Sequence, residues 1–374
     1  MKARPNGPAG TPARFGREVE MTDITDILKR AMRMGGSDVF LIPGSGISIK
    51  ISGAVQPMTD TVLKPGDTLQ LLQQVYSLDN RDMARLLESG DDDFSFSVNG
   101  VGRFRCNAYK QRNSLAMVLR VVSLNMPEPE SLHIPAEVLR LADVNKGLVL
   151  VTGPAASGKS TTLACVIDRI NVSRHDHIIT IEDPIEFIHP HKESIVSQRE
   201  IEHDTLSYQT ALRAALREAP DVILLGEMRD FETIQTALTA AETGQLVLST
   251  LHTIGAAKTI DRIIDVFPAN QQQQIRVQLS MVLKAVVSQQ LLPTVDGTLE
   301  PAFEIMVVNS AIQNMIRDGK AHQMDNVIFS GADAGMRSMD ADILRLFRQG
   351  RIARETARLY AANQELMQRK LGSA

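Results

Sequence analysis

Apolar residues recur at helical spacing at Ile24, Ile27, Leu28, Ala31 and Met34, and the pair Gly35-Gly36 ends that pattern. Alternation takes over at once: residues 38–42 and 47–51 read as strands, with a turn at Gly53. Two helical stretches follow, 67–76 and 80–87. Residues 93–98 and 103–109 flank Asn99-Gly100, a dipeptide favoured in tight hairpin turns, and 115–122 closes the set as a further strand. Helices mixed with antiparallel strands, and no parallel-sheet signature, predict a small α+β domain over residues 21–122.

The pattern then changes character. Residues 123–131 hold Pro127 and Pro129 beside Glu128 and Glu130, which predicts a semi-rigid linker. From 132 to 292 strand and helix alternate, and the strands are continuous apolar runs at 148–151, 177–181, 222–225 and 246–249. A parallel sheet covered on both faces requires runs of that kind, so this stretch is expected to be a doubly wound α/β core. Helical patterns run over 162–170 and around the glutamines of 271–274. Beyond Pro293, a strand pattern at 303–308 and helical stretches at 310–317, 338–348 and 353–367 form an expected C-terminal region, 293–374. Residues 1–20 carry Pro, Gly and Arg without apolar periodicity, and they lack the apolar centre of a secretory signal. They read as a disordered leader, with Met21 an alternative start.

Composition adds limits. A chain of 374 residues suits two domains, and 43% hydrophobic with 22% charged residues is ordinary for a globular protein. The net charge of −4 shows no general basic excess, so nucleic acid is not the expected partner. Cys106 and Cys165 both sit in apolar patterns and read as buried free thiols of a reducing compartment, and two cysteines cannot build a four-cysteine zinc module. No apolar run approaches the roughly 20 residues that cross a bilayer. The expectation is a cytoplasmic protein that meets a membrane only through a partner.

The densest chemistry lies at 153–161, where Gly153, Pro154, Ala155, Ala156, Ser157, Gly158, Lys159, Ser160 and Thr161 join an apolar strand to a helical pattern. Glycines at that spacing let the backbone wrap an anion, with amides and a helix N-terminus aimed at phosphate oxygens. Lys159 would add a point charge on the β and γ phosphates of ATP, and Ser160 would ligate Mg²⁺. The alternative is a glycine-containing turn with no ligand. Three further strand ends carry candidates. Glu182, Asp183 and Glu186 follow the second apolar run, where ligands gather in doubly wound folds, although a turn with solvated acids is the plainer reading. Glu227 tips the third run after the small Gly226 and is suited to orienting or deprotonating the attacking water, whereas Asp221 lies at that run's other end. His252 ends the fourth run and is placed to sense a γ-phosphate. The pairs His175/His177 and His189/His191 lack a third ligand at metal spacing, so no metal other than Mg²⁺ is expected.

Together these stretches resemble a known set. GPAASGKSTTL, IITIEDPIEFIH, PDVILLGEMRDFETIQTALTAAETG and STLHTIGAAKTIDRIIDVFP are similar to the Walker A, Asp box, Walker B and His box of the type II/IV secretion ATPase superfamily, and especially to the PilT-type retraction ATPases of type IV pili. The resemblance runs from about residue 24 to about 350. It implies a PAS-like N-terminal domain followed by a RecA-like ATPase domain, and a homo-hexamer at the inner-membrane base of the pilus. It further implies a platform protein and a paralogous ATPase as partners, and pilin removal driven by ATP. On that resemblance Glu186 takes the place of the Asp-box catalytic acid, Glu227 of the Walker B glutamate, and His252 with Arg262 of the His-box residues. Arg103, Arg105, Arg112 and Arg120 resemble arginines that reach a nucleotide across a domain or subunit boundary, and a solvated basic strand is the alternative for them. Residues 311–319 resemble a motif tied to retraction.

The chain departs from the family pattern at five places. It has Ala156 where glycine is usual, Gln245 for histidine, Ile254 for asparagine, Ala219 for aspartate and Gln313 for arginine. A left-handed backbone at Ala156 would cost roughly 1–2 kcal/mol. The expected function is a hexameric retraction motor. Its rivals are an ATPase of a related secretion or competence system and a weakly hydrolysing scaffold that assembles with an active paralogue.

Overall fold

The structure, a computed structural model, describes residues 23–51, 53–122 and 126–372. The expected leader at 1–20 and the start of the expected linker, 123–125, lie outside the described residues. The chain divides into two compact units, Met1–Val122 and Ser123–Ala374.

The first unit opens with α1 (Ile24–Arg33), whose N-terminal amides are capped by Asp23 accepting from Thr25 N at 2.7 Å. Then come β1 (Asp38–Leu41), β2 (Gly46–Ile51), β3 (Ala54–Val62), α2 (Pro65–Leu78), α3 (Ala84–Ser89), β4 (Asp91–Val98), β5 (Gly102–Gln111) and β6 (Ser114–Val122). The strands form one antiparallel six-stranded sheet in the order β3-β2-β1-β6-β5-β4. Period-2 alternation sends Val39, Leu41, Phe94, Phe96, Phe104 and Cys106 to one face, where they pack with α1, α2 and α3 in a single core. The periodicity did not predict β3. It is an edge strand with only Met58 buried, so it carries no apolar alternation to read.

The second unit begins with α4 (Ala136–Leu139), β7 (Gly147–Thr152), α5 (Lys159–Ser173), β8 (His177–Glu182) and β9 (Ile195–Glu200). It continues with α6 (Tyr208–Ala215), β10 (Val222–Leu225), α7 (Phe231–Thr243), β11 (Leu246–Leu251), α8 (Ala256–Asp265) and α9 (Ala269–Val282). It ends with β12 (Leu283–Pro293), β13 (Leu299–Val307), α10 (Ser310–Arg317), α11 (Met324–Ser330), α12 (Met339–Arg348), α13 (Arg354–Tyr360) and α14 (Gln364–Gly372). The seven-stranded sheet runs β13-β12-β7-β11-β10-β8-β9, parallel except for β13. Alternate residues serve opposite faces. Leu148, Leu150, Ile223 and Leu225 pack toward α6 through α9, while Val149, Val151, Val222 and Leu224 pack toward α4 and α5. That two-faced burial is why the strands are continuously apolar.

The expected boundary at 292/293 falls inside the β12–β13 hairpin, and β13 is part of the core sheet rather than of a C-terminal appendage. Strand β12 itself was not expected, because Ser288, Gln289 and Gln290 interrupt its apolar pattern while being buried. The single helix expected over 353–367 is two helices, broken at Ala361, whose backbone is extended.

Candidate active site

Four strand ends converge on one cavity of about 260 Å³ at the carboxyl edge of the core sheet. Its lining includes Ala155, Ala156, Lys159 and Ser160 after β7, Glu182, Asp183 and Glu186 after β8, Glu227 after β10, and His252 after β11. The parallel register creates this meeting point, because β8, β10, β11 and β7 all end on the same side.

The loop after β7 is shaped by its neighbours. Gly153 has φ +143° and Gly158 φ +86°, and a Cβ on either would run into Gln289 of β12, at its carbonyl oxygen and at its side-chain amide respectively. Gly158 is the left-handed residue that starts α5, and no side chain caps that helix. Its first-turn amides therefore remain available to an anion. Lys159 is buried and donates to the carbonyls of Gly153 at 3.0 Å and Pro154 at 2.8 Å. Burial pulls its ammonium below the ordinary lysine value, and Glu227 and Glu186 oppose that pull. Ala156 has φ +58°, so the departure from glycine falls on a left-handed position.

The loop after β8 is pinned from β9 and α5. Glu200 accepts from Ile185 N at 3.0 Å, and Gln198 accepts from His189 N at 2.7 Å while donating to Phe187 O at 2.9 Å. Asn171 of α5, fully buried, donates to Pro190 O at 2.7 Å. Held this way, Glu182 receives Thr180 Oγ1 at 2.6 Å, and burial pushes its carboxyl up to about 7. Glu186 is exposed on the cavity wall. His189 lines the cavity but is only 5% exposed, and burial holds its imidazole down at about 4, so it is neutral near pH 7.

At the third tip, Thr250 Oγ1 of β11 donates to Gly226 O at 2.6 Å, and Gly226 leaves room for the Tyr208 hydroxyl. Glu227 Oε2 lies 3.3 Å from His252 Nε2, which brings together two residues singled out in the sequence. Glu227 Oε1 lies 2.6 Å from Arg229 Nη2, and that contact holds the guanidinium above its ordinary value. Arg229, Tyr208 and Gln289 were not among the expected site residues. For Arg229 the available signal was its place two residues beyond Glu227 in a turn, and for Gln289 it was a polar residue inside an apolar run. Asp221 lies at the other end of β10, where its carboxylate accepts from His177 N at 2.9 Å.

Ser160 supplies a hydroxyl among carboxylates in the same cavity, and that oxygen-rich donor set suits a hard cation such as Mg²⁺ bound jointly by a nucleotide phosphate. Among the described residues no group of three or more His, Cys, Asp or Glu is arranged to hold a metal unaided. On the other side of the loop, Thr161, Thr162 and Gln289 border a second cavity of about 390 Å³, walled by Leu132, Ile134 and Leu291. Arg262 is exposed on α8 and does not line the first cavity.

The remaining candidates sit in the first unit. Arg105 and Arg120 are direct cross-strand partners, so they share a face of the sheet with Arg103, two residues from Arg105. Each is engaged: Arg105 with Asp93 at 2.5 Å, Arg120 with Asp38 at 2.9 Å, and Arg103 with Ser97 at 3.4 Å. Arg112 stands apart in the β5–β6 turn with φ +44°, at the far end of the strand from Arg103. Both cysteines are buried free thiols, as the sequence indicated, and burial pushes Cys165 up to about 11. Among the described residues no helix is long and apolar enough to cross a membrane.

Comparison with known proteins gives the family and the fold. Residues 16–356 match the family described as Type II/IV secretion system protein. The chain is 46% identical over 340 residues to the type IV pilus retractation ATPase PilT of Pseudomonas aeruginosa, covering 90% of this chain and 97% of that protein. It is 41% identical over 351 residues to the type IV pilus ATPase PilU of the same organism, covering 93% and 91%. The structure superposes with a TM-score of 0.85 on the crystal structure of the pilus retraction motor PilT with bound ADP, at 44% identity over 93% of this chain and 99% of that one.

Proposed function

We propose, from the premise that the chain belongs to the Type II/IV secretion system protein family and is an ATP hydrolase, that it is a ring-forming motor whose ATP turnover drives retraction of a type IV pilus. The observation that carries this reading is the meeting of Lys159, Glu186, Glu227 and His252 in one cavity beside an uncapped helix N-terminus.

In this reading the backbone N–H groups of residues 155–161 wrap the phosphates and Lys159 turns its ammonium to the β and γ oxygens. Ser160 would hold Mg²⁺ together with those phosphates, with Glu182 and Asp183 holding the metal's waters. When bound, the metal neutralises charge on the phosphates. Glu227 orients and accepts a proton from the attacking water, Glu186 assists from the loop after β8, and His252 contacts the γ-phosphate. The base and ribose extend past Thr161 into the second, more apolar cavity. Arg103, Arg105 and Arg120 on one sheet face, with Arg112 and Arg262 as further candidates, act on a nucleotide held by a neighbouring copy in a homo-hexamer. The ring works in the cytoplasm against a platform protein of the inner membrane, beside a paralogous ATPase, and without nucleic acid.

Steady-state ATP turnover tests the chemistry: Lys159→Ala and Glu227→Gln should each abolish it, and a Glu227→Gln rate equal to wild type would overturn the role given to Glu227. Native mass measurement with nucleotide should find six copies, and a persistent monomer or dimer would sink the ring. The left-handed Ala156 favours one second reading, a weakly hydrolysing scaffold that supports an active paralogue. Wild-type turnover no faster than that of Lys159→Ala would select it.

A further inference from the structure

The chain leaving β10 turns within a few residues. Met228 is buried at 4% exposure and its amide donates to Thr250 O at 3.2 Å, so the turn is anchored at its middle. Glu227 and Arg229 flank that anchor and both line the cavity. Arg229 Nη2 meets Glu227 Oε1 at 2.6 Å, and Oε2 of the same carboxylate faces His252 Nε2 at 3.3 Å. Both oxygens of the residue suited to activating water are therefore engaged. The charge-assisted contact with Arg229 competes with water for Oε1. The two partners differ sharply in freedom: the Glu227 side chain is 12% exposed and that of Arg229 is 72% exposed. The acid is fixed in the wall while the cation stands at the open side.

We propose that Arg229 acts within its own chain as a γ-phosphate sensor, leaving Glu227 for the terminal phosphate when a nucleoside triphosphate binds. The proposal rests on the ATPase reading above. A guanidinium offers five N–H donors in a fork that matches phosphate oxygens, so a triphosphate competes effectively for it. The exchange has two consequences. Oε1 of Glu227 is released to accept a hydrogen bond from water, and positive charge arrives where negative charge accumulates during phosphoryl transfer. In the reaction the water oxygen bonds to the γ-phosphorus, the bond from that phosphorus to the β–γ bridging oxygen breaks, and ADP leaves with the electron pair. The water proton passes to Glu227 and from there to the departing phosphate. A diphosphate supplies no γ oxygens, so Arg229 returns to Glu227 after release of phosphate and stays there while ADP is bound. The base is thus ready only when there is something to hydrolyse.

The test compares wild type with Arg229→Gln and Arg229→Lys for ATP turnover, ADP affinity and thermal midpoint, with Lys159→Ala as the reference for loss of nucleotide chemistry. Wild-type turnover that Lys159→Ala abolishes establishes the ATPase reading on its own, and its absence would defeat that reading without reference to Arg229. Given that turnover, Arg229→Gln should lower kcat roughly tenfold or more while ADP affinity stays within about twofold of wild type, as expected when an arginine acts on the transferring phosphoryl group. Arg229→Lys, which keeps the charge but not the fork, should recover part of kcat. Unchanged kcat in both variants would overturn the proposal. So would an equal loss of kcat and ADP affinity, which would make Arg229 a general binding or structural residue. If Arg229→Gln melts early, Arg229→Lys decides alone: a lowered kcat with unchanged ADP affinity supports the proposal and a wild-type kcat rejects it.

Discussion

Thr162 of α5 donates its hydroxyl to Gln289 Oε1 of β12 at 2.7 Å, across 127 positions of sequence. Gln289 is buried, and its own carbonyl and side-chain amide fill the space that a Cβ on Gly153 or Gly158 would need. One polar residue in a core strand therefore sets both glycines of the phosphate loop and ties down the helix that follows.

Gly153→Ala and Gly158→Ala should consequently differ. At Gly153 the obstacle is strand backbone and cannot yield, whereas at Gly158 it is the end of a side chain that can move. Both substitutions carry the left-handed penalty of roughly 1–2 kcal/mol, and Gly153→Ala adds a clash of about 1–3 kcal/mol. Thermal or urea melts should rank Gly153→Ala clearly below Gly158→Ala. Equal midpoints would show that β12 does not constrain the loop.

Gln289→Leu strands the buried Thr162 hydroxyl, at a cost of about 1–3 kcal/mol. Because the same contact orders the loop, nucleotide affinity should fall with stability. A double cycle with Thr162→Val checks this. Once the hydroxyl is gone, the change at Gln289 should cost much less.

Two of the five departures from the family pattern, Ala156 at φ +58° and Ala219 at φ +50°, place alanine in a left-handed backbone. Ala156→Gly and Ala219→Gly should each raise stability by about 1 kcal/mol, since strain in the folded state outweighs the extra freedom of glycine in the unfolded chain. Ala219 precedes β10, away from the cavity lining, so its substitution should leave ATP turnover unchanged, while Ala156→Gly should also tighten nucleotide binding. Chemical denaturation and ATP titration of the two variants separate strain from function.

Glu182 predicts a pH dependence. Its carboxyl is raised from the usual 4.5 to about 7 in the folded protein, chiefly by burial. A raised acid favours folding most when protonated in both states, so its contribution is present below about pH 4.5 and is lost as pH rises through about 7. The full loss is on the order of 3 kcal/mol. Glu182→Gln, which stays neutral, should lose less stability than wild type between pH 5 and pH 8 in denaturant titrations. Parallel curves would mean that the carboxyl is solvated.

In the first unit, Asp92 is almost wholly buried and accepts from the Tyr76 hydroxyl at 2.8 Å and from Arg81 at 2.9 and 3.1 Å. Asp92→Ala removes the acceptor that joins α2 to β4 and should cost about 3–5 kcal/mol, as for other broken buried ion pairs. Calorimetry should show that unit melting early. An unchanged melt would show that solvent replaces the carboxylate.

Periodicity and motif spacing determined most of the architecture. The apolar runs at 148–151, 177–181, 222–225 and 246–249 are strands because a parallel sheet buried on both faces keeps nearly every position apolar. The gathering of Lys159, Glu227 and His252 at one sheet edge was legible for the same reason, since each stands where such a run ends. Wherever a residue's environment is supplied by distant chain, local pattern says little. Strand β3 hides because its edge position buries a single side chain, and β12 hides because Ser288, Gln289 and Gln290 are polar yet buried. The grip of Arg229 on Glu227, the elevated carboxyl of Glu182 and the clamp of Gln289 on Gly153 and Gly158 depend on which strand tips and neighbours meet in space. The sequence by itself determined which chemistry this chain carries. Tertiary structure decided how that chemistry is poised, because burial, distance and charge at a site come from residues far apart along the chain.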